Sequence, residues 1–137
     1  MYSIQEVSRK TGLSAHTLRY YEKEGLLGVV ERSRSGFRQY TDADLEVLGG
    51  ICCLKNTGMS LQEIARFLAL SREGDRTLRQ RVELLQAHRN EVLTRMAEMQ
   101  TYLDQVSRKL DYYSGRLLAY EAGEKPEETT AEQTEAV

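Results

Sequence analysis

Between Leu78 and Tyr120 the chain carries an uninterrupted alternation of four- and three-residue steps: Leu78, Val82, Leu85, Arg89, Val92, Met96, Met99, Leu103, Val106, Leu110, Tyr113, Leu117 and Tyr120, with Arg89 the polar member. Such spacing holds one stripe on one side of a helix, and a single exposed helix cannot bury it. The pattern therefore predicts a helix roughly 60 Å long that pairs as a coiled coil with a second copy. It does not say whether the two strands run parallel or antiparallel. Arg89 can set register or snorkel outward. His88, beside the seam, is expected to be solvated. Tyr102, Tyr112, Tyr113 and Tyr120 could line an effector pocket with Met96 and Met99, although tyrosines along a coil more often pack.

The first 40 residues have a different character. Ser3-Ile4-Gln5-Glu6 has the form of a capping box and should open a helix. Thr11-Gly12-Leu13-Ser14 is a tight turn, and Ser14 is a good N-cap for a second helix. On that helix His16, Arg19, Tyr20 and Lys23 fall on one polar face, while Leu18 points back to the first helix. Helix, glycine turn and polar-faced helix make a helix-turn-helix, whose second helix can enter a DNA major groove about 12 Å wide. Two short β-prone stretches follow, Val29 to Arg32 and Phe37 to Tyr40, joined by Ser33-Arg34-Ser35-Gly36 as a hairpin. Arg32, Arg34 and Arg38 on this wing are candidates for phosphate or minor-groove contact.

Thr41-Asp42-Ala43-Asp44 caps a third helix running to about Asn56, and Ser60-Leu61-Gln62-Glu63 is a capping box for a fourth. In the fourth, Leu61, Ile64, Ala65 and Leu68 form a stripe that must face a core. Gly74 suits a helix end and Asp75 the N-cap of the long helix. The expected organisation is a winged helix-turn-helix DNA-binding domain over 1–73, a coiled-coil dimerisation helix over 75–120, and an acidic disordered tail over 121–137. The fold class is mainly α with a small β-hairpin wing.

Charge supports a nucleic-acid partner through its distribution. The net charge of −2 hides a basic head: residues 1–40 hold seven cations (Arg9, Lys10, Arg19, Lys23, Arg32, Arg34, Arg38) against four glutamates, whereas residues 121–137 hold one lysine against six glutamates. Cations at the reading head are what phosphate contact needs. No apolar run approaches the length of a membrane span and no secretory signal pattern opens the chain, so a cytoplasmic location is expected. The adjacent Cys52 and Cys53 do not make a disulfide framework. No acid–base pair, phosphate-cradling glycine loop or metal cluster is evident, so neither an enzyme nor a bound cofactor or metal is expected.

The chain resembles the MerR family of transcriptional regulators. The resemblance rests on Ser3-Ile4-Gln5-Glu6-Val7, Thr17-Leu18-Arg19-Tyr20-Tyr21-Glu22, Gly36-Phe37-Arg38-Gln39-Tyr40-Thr41 and Leu54-Lys55-Asn56-Thr57-Gly58-Met59-Ser60-Leu61-Gln62-Glu63-Ile64. It implies a DNA-contacting set of Ser14, His16, Thr17, Arg19, Tyr20, Tyr21, Lys23, Arg32, Arg34, Gly36, Arg38 and Tyr40. It also implies a homodimer with antiparallel long helices, bound to a palindromic double-stranded promoter element. An effector then makes the dimer distort the DNA so that RNA polymerase can use the promoter. The run Ile51-Cys52-Cys53-Leu54-Lys55-Asn56-Thr57-Gly58 resembles the AdhR-like branch, which is associated with reactive aldehydes and related electrophiles, and alignment through Lys-Asn-Thr-Gly makes Cys53 the sensing thiol. The alternative is a noncovalent ligand, or none, with Cys53 structural.

Helix geometry bears on the same pair. Cys52 shares a stripe with Leu45 and Leu48 and is expected in the core, whereas Cys53 falls outside the apolar arc. Gly49 and Gly50, one turn before Cys53, cost the helix about 1 kcal/mol each relative to alanine, which points to a close approach beside the thiol. A sensing thiol also requires cations nearby.

Overall fold

The computed structural model describes residues 1–124, so most of the expected acidic tail, from residue 125 onward, lies outside it. Five helices and one hairpin follow in the order α1 (Ile4–Thr11), α2 (Ala15–Lys23), β1 (Glu31–Arg32), β2 (Arg38–Gln39), α3 (Asp42–Asn56), α4 (Leu61–Arg72) and α5 (Leu78–Glu121), with a 3₁₀ turn at Asp75–Thr77. This is the mainly helical, winged architecture expected from the sequence. No helix among the described residues is long and apolar enough to cross a membrane.

Local chemistry sets the helix starts. Ser3, Ser14 and Ser60 each accept a hydrogen bond from the backbone N–H three residues on, and Thr41 and Asp44 form a reciprocal capping box. Gly12 ends α1 in the left-handed conformation (φ 76°), where any other residue would be strained. Ahead of α5 the expectation fails in detail. Asp75 does not cap the long helix; Gly74 (φ 86°) instead leads into the 3₁₀ turn, and α5 begins three residues later. Thr77 is buried there and its hydroxyl donates to the Leu70 carbonyl at 2.5 Å, closing the joint between α4 and α5.

The chain divides into two compact units, Met1–Arg89 and the remainder from Asn90. The first three turns of α5 thus belong to the head, beyond the boundary expected near residue 73. The head's core gathers Val7 of α1, Leu18 and Tyr21 of α2, Leu48 and Ile51 of α3 and Ile64 of α4, together with Val30 and Tyr40 from the hairpin arms. Tyr2 pairs with Tyr40 through two backbone hydrogen bonds of 2.8 Å, tying the chain start to the end of the wing. The Tyr2 hydroxyl also donates to Asp42 at 2.8 Å, and that carboxylate raises the phenol's pKa above its ordinary value. In α4 the stripe is buried at Ile64 and half-buried at Ala65 and Leu68, but Leu61, in the first turn, is exposed.

In the second unit, α5 leaves its seam open. Met96, Met99, Leu103, Val106, Leu110 and Leu117 are all more than half exposed in the protomer. Tyr112 stacks edge-on against Tyr113 at 5.4 Å, with Arg116 over its face at 5.9 Å.

Candidate nucleic-acid interface

The turn between α1 and α2 is held by side-chain hydrogen bonds as well as by the packing of Leu13 against the core. The Ser8 hydroxyl donates to the Leu13 carbonyl at 2.6 Å, and Thr11 Oγ1 accepts from the Leu13 N–H at 3.2 Å. These bonds satisfy backbone groups in the tight turn and fix the angle at which α2 leaves. Along α2, Leu18 and Tyr21 are buried, whereas His16, Arg19, Tyr20 and Lys23 are exposed. Thr17 is half-buried and accepts a hydrogen bond from Ser14 Oγ at 2.9 Å. The polar face expected from the spacing is thus turned outward.

The wing is a two-pair antiparallel hairpin, Glu31 opposite Gln39 and Arg32 opposite Arg38. Its loop closes through the Ser33 N–H to Phe37 C=O bond (2.7 Å) and the Gly36 N–H to Ser33 C=O bond (2.9 Å), and Gly36 needs its positive φ of 83°. Arg34 stands exposed at the loop tip. The strands are shorter than the sequence suggests. Val29 is almost fully exposed and Val30 turns into the core, so pairing begins only at Glu31.

Glu22 of α2, absent from the expected set, joins the two reading elements. Its carboxylate takes the Arg38 guanidinium through Nε and lies 3.6 Å from Arg32. Arg32 also donates to the Gly36 carbonyl at 3.3 Å. Glu22 and Arg38 are only 18% and 23% exposed, so this pair is screened less than a surface ion pair. A cleft lined by Ser3, Arg19, Arg32, Phe37 and Arg38 opens between α2 and the wing. Glu22→Gln should therefore cost the head about 1–2 kcal/mol, the loss expected when a charged hydrogen-bond partner is removed from a partly buried pair. Thermal unfolding at matched pH and salt measures this, and an unchanged midpoint would show that Glu22 is not the strap.

Two family models match the chain. The model described as "MerR HTH family regulatory protein" matches residues 2–71, and "MerR, DNA binding" matches residues 45–108. The chain belongs to the MerR family. It is a DNA-binding transcriptional regulator. An uncharacterized HTH-type transcriptional regulator of Haemophilus influenzae is 44% identical over 112 residues, covering 82% of this chain and 83% of that one. The regulator AdhR of Bacillus subtilis is 37% identical over 91 residues, covering 66% and 65%. Among solved structures, HiNmlR, described as a MerR family regulator lacking the sensor domain and bound to promoter DNA, superposes with a TM-score of 0.79 at 41% identity, over 90% of this chain and 91% of that one. These relatives are regulators, not enzymes.

Within this MerR-family head, several residues stand elsewhere than their sequence pattern predicts. Tyr21 and Tyr40 are fully buried, and neither hydroxyl has a hydrogen-bond partner. Burial pushes the Tyr40 phenol's pKa up. Both are core residues supporting α2 and the wing from behind, so their side chains are not a DNA-facing surface. Cys53 is exposed, outside the apolar arc as expected, whereas Cys52 is only half-buried. The reason is that the buried stripe of α3 runs Leu48 to Ile51, leaving Cys52 at its margin.

His88 is buried rather than solvated, with Nε2 2.7 Å from Thr57 Oγ1. Gly49 and Gly50 serve no close approach within the protomer, since a methyl group at either would meet nothing within 4 Å. If their surface stays open in the working assembly, Gly49→Ala and Gly50→Ala each stabilise the protein by about 1 kcal/mol. Destabilisation in a denaturant titration would mean that the face is covered there.

Proposed function

We propose that the chain works as a homodimer, paired antiparallel through the 75–120 helix, and binds a palindromic promoter element with its 1–73 domain. The exposed seam of α5 is the observation that carries the dimer. Ten or more apolar side chains along one helix would be left in water otherwise, and a second copy offers the same stripe in return. A two-fold protein reads a two-fold operator. Ser14, His16, Thr17, Arg19, Tyr20 and Lys23 of α2 face the major groove, and Arg32, Arg34 and Gly36 of the wing meet the flanking backbone. Arg38 sets the wing against α2 through Glu22 while its remaining N–H groups face phosphate. The promoter-bound state described for HiNmlR supports this reading.

Activation then proceeds by distortion. Bending or untwisting an operator costs several kcal/mol, and the effector-bound dimer must offset that cost to present the promoter to RNA polymerase. The effector is a small electrophile that reacts at Cys53. With an aldehyde, Sγ attacks the carbonyl carbon, a C–S bond forms, the carbonyl π pair moves onto oxygen, and the thiol proton completes the hydroxyl of a hemithioacetal. The exposure of Cys53, the open space at Gly49 and Gly50, and the similarity to AdhR support it. The test is transcription from the cognate promoter with and without formaldehyde, for wild type and Cys53→Ser, with DNA occupancy followed in parallel. Induction in wild type that vanishes in Cys53→Ser while occupancy persists is the expected result. Equal response in both proteins would assign the signal to another site and make Cys53 structural.

A further inference from the structure

The 44-residue helix α5 has one buried residue, His88, which stands outside the proposed DNA-contacting set. Its Nε2 lies 2.7 Å from the hydroxyl of Thr57, the residue that closes α3. That hydroxyl has a single proton, directed at the Cys53 carbonyl at 2.7 Å with the Leu54 carbonyl at 3.1 Å. With that proton on a carbonyl, the oxygen accepts from the His88 ring at Nε2. The other ring nitrogen, Nδ1, is buried and has no hydrogen-bond partner among the described residues. One hydrogen bond therefore orients the ring, and the hydroxyl that receives it is anchored on the backbone of the residue bearing the exposed thiol. The Thr57 N–H reaches the same Cys53 carbonyl at 3.1 Å, so Thr57 cannot stay in place if that carbonyl turns.

We propose that Thr57 and His88 are positioning residues that couple Cys53 to the base of α5. This rests on Cys53 being the sensing thiol. A group attached to Sγ changes the packing and solvation of the exposed side of α3, and the change is passed along the helix to the Cys53 carbonyl. The Thr57 hydroxyl follows, and the ring of His88 loses its hydrogen bond. A ring whose second nitrogen is buried and unpartnered has a second arrangement to adopt: once released it can turn to bring Nδ1 to a hydrogen-bond partner, which moves the turn of α5 that carries it. The junction thus has the two-state character that coupling between sites requires. Neither residue needs to touch DNA or effector.

The test uses the full-length dimer on its promoter, with formaldehyde as the probe and five proteins: wild type, Thr57→Val, His88→Leu, Thr57→Ser and His88→Gln. Thr57→Val keeps shape and removes the hydroxyl, and His88→Leu removes the ring. Thr57→Ser keeps the hydroxyl, and His88→Gln keeps a donor near the Nε2 position. Three quantities are read: adduct mass at Cys53, promoter occupancy and transcript yield. All five proteins should acquire the adduct and occupy the promoter alike. Induction should fall by about tenfold in Thr57→Val and His88→Leu, a coupling of ordinary size, and be retained in Thr57→Ser and His88→Gln. Full induction in the first pair overturns the proposal, and so does equal loss in all four variants, which would mark simple packing. A wild type that gains no adduct, or gains it without induction, overturns the Cys53 reading itself and the coupling with it.

Discussion

Arg19→Ala should weaken binding of the proposed dimer to its operator by about 2–6 kcal/mol, because an arginine that contacts a base or phosphate contributes about 1–3 kcal/mol and a two-fold assembly would lose it twice. Arg19 is exposed on the polar face of α2 and lines the cleft that the wing closes, so its guanidinium can reach a groove edge or a phosphate without rearranging the head. If Arg19 reads a base, the loss is concentrated on the cognate sequence. If it holds a phosphate, cognate and scrambled duplexes weaken together and the salt dependence becomes shallower by roughly one contact per protomer. The controls lie on the opposite side of the same elements. Tyr21→Phe and Tyr40→Phe remove buried hydroxyls that have no partner and should leave operator affinity unchanged. Fluorescence anisotropy with operator and scrambled duplexes reads all three variants. Wild-type affinity in Arg19→Ala would mean that the α2 face is not the reading surface.

A pair of charges in the α5 seam should have a larger consequence for the proposed assembly. Leu103→Glu combined with Leu110→Glu places carboxylates in the middle of the seam, where burial in a dimer would remove them from water without a partner. Each leucine buried there contributes about 1.5–3 kcal/mol to association, which is lost before the added cost of the charges is counted. Sedimentation should show a monomer. Operator affinity should fall by about 10²–10⁴-fold, because the second half-site is no longer bound intramolecularly. Unfolding of the head should be little changed, since both positions lie in the second compact unit. A variant that remains dimeric would remove the seam from the account.

The features legible in the sequence are those set by local chemistry. Ser3, Ser14, Thr41 and Ser60 opened the four head helices where their side chains could meet a backbone N–H three residues on. The 4-3 stripe gave the long helix and its apolar face, because periodicity alone determines which residues share a side. The burial of Tyr21 was also within reach: it stands three residues after Leu18 and so belongs to the same inward face, one residue from the outward Tyr20. Its place in the Tyr-Tyr-Glu run obscured this.

Glu22 with Arg38, and Thr57 with His88, were not legible, being 16 and 31 residues apart with no repeating pattern to link them. Only the fold of the head, which sets Glu22 beside Arg38 and Thr57 beside His88, brings each pair together. The 3₁₀ turn before α5 escaped for a related reason. Asp75 has the right chemistry for a cap, but the Thr77 side chain, buried against the α4 end, determines the local geometry.

The winged head is proposed to recognise promoter DNA by sequence, drawn to it by electrostatic attraction. This is tested most directly by measuring dissociation constants for the promoter palindrome and a scrambled duplex of equal length across a salt series. A preference of about 10³ or more for the palindrome is expected near physiological salt, with affinity for both duplexes falling steeply as salt rises. Equal affinity for the two duplexes would contradict it.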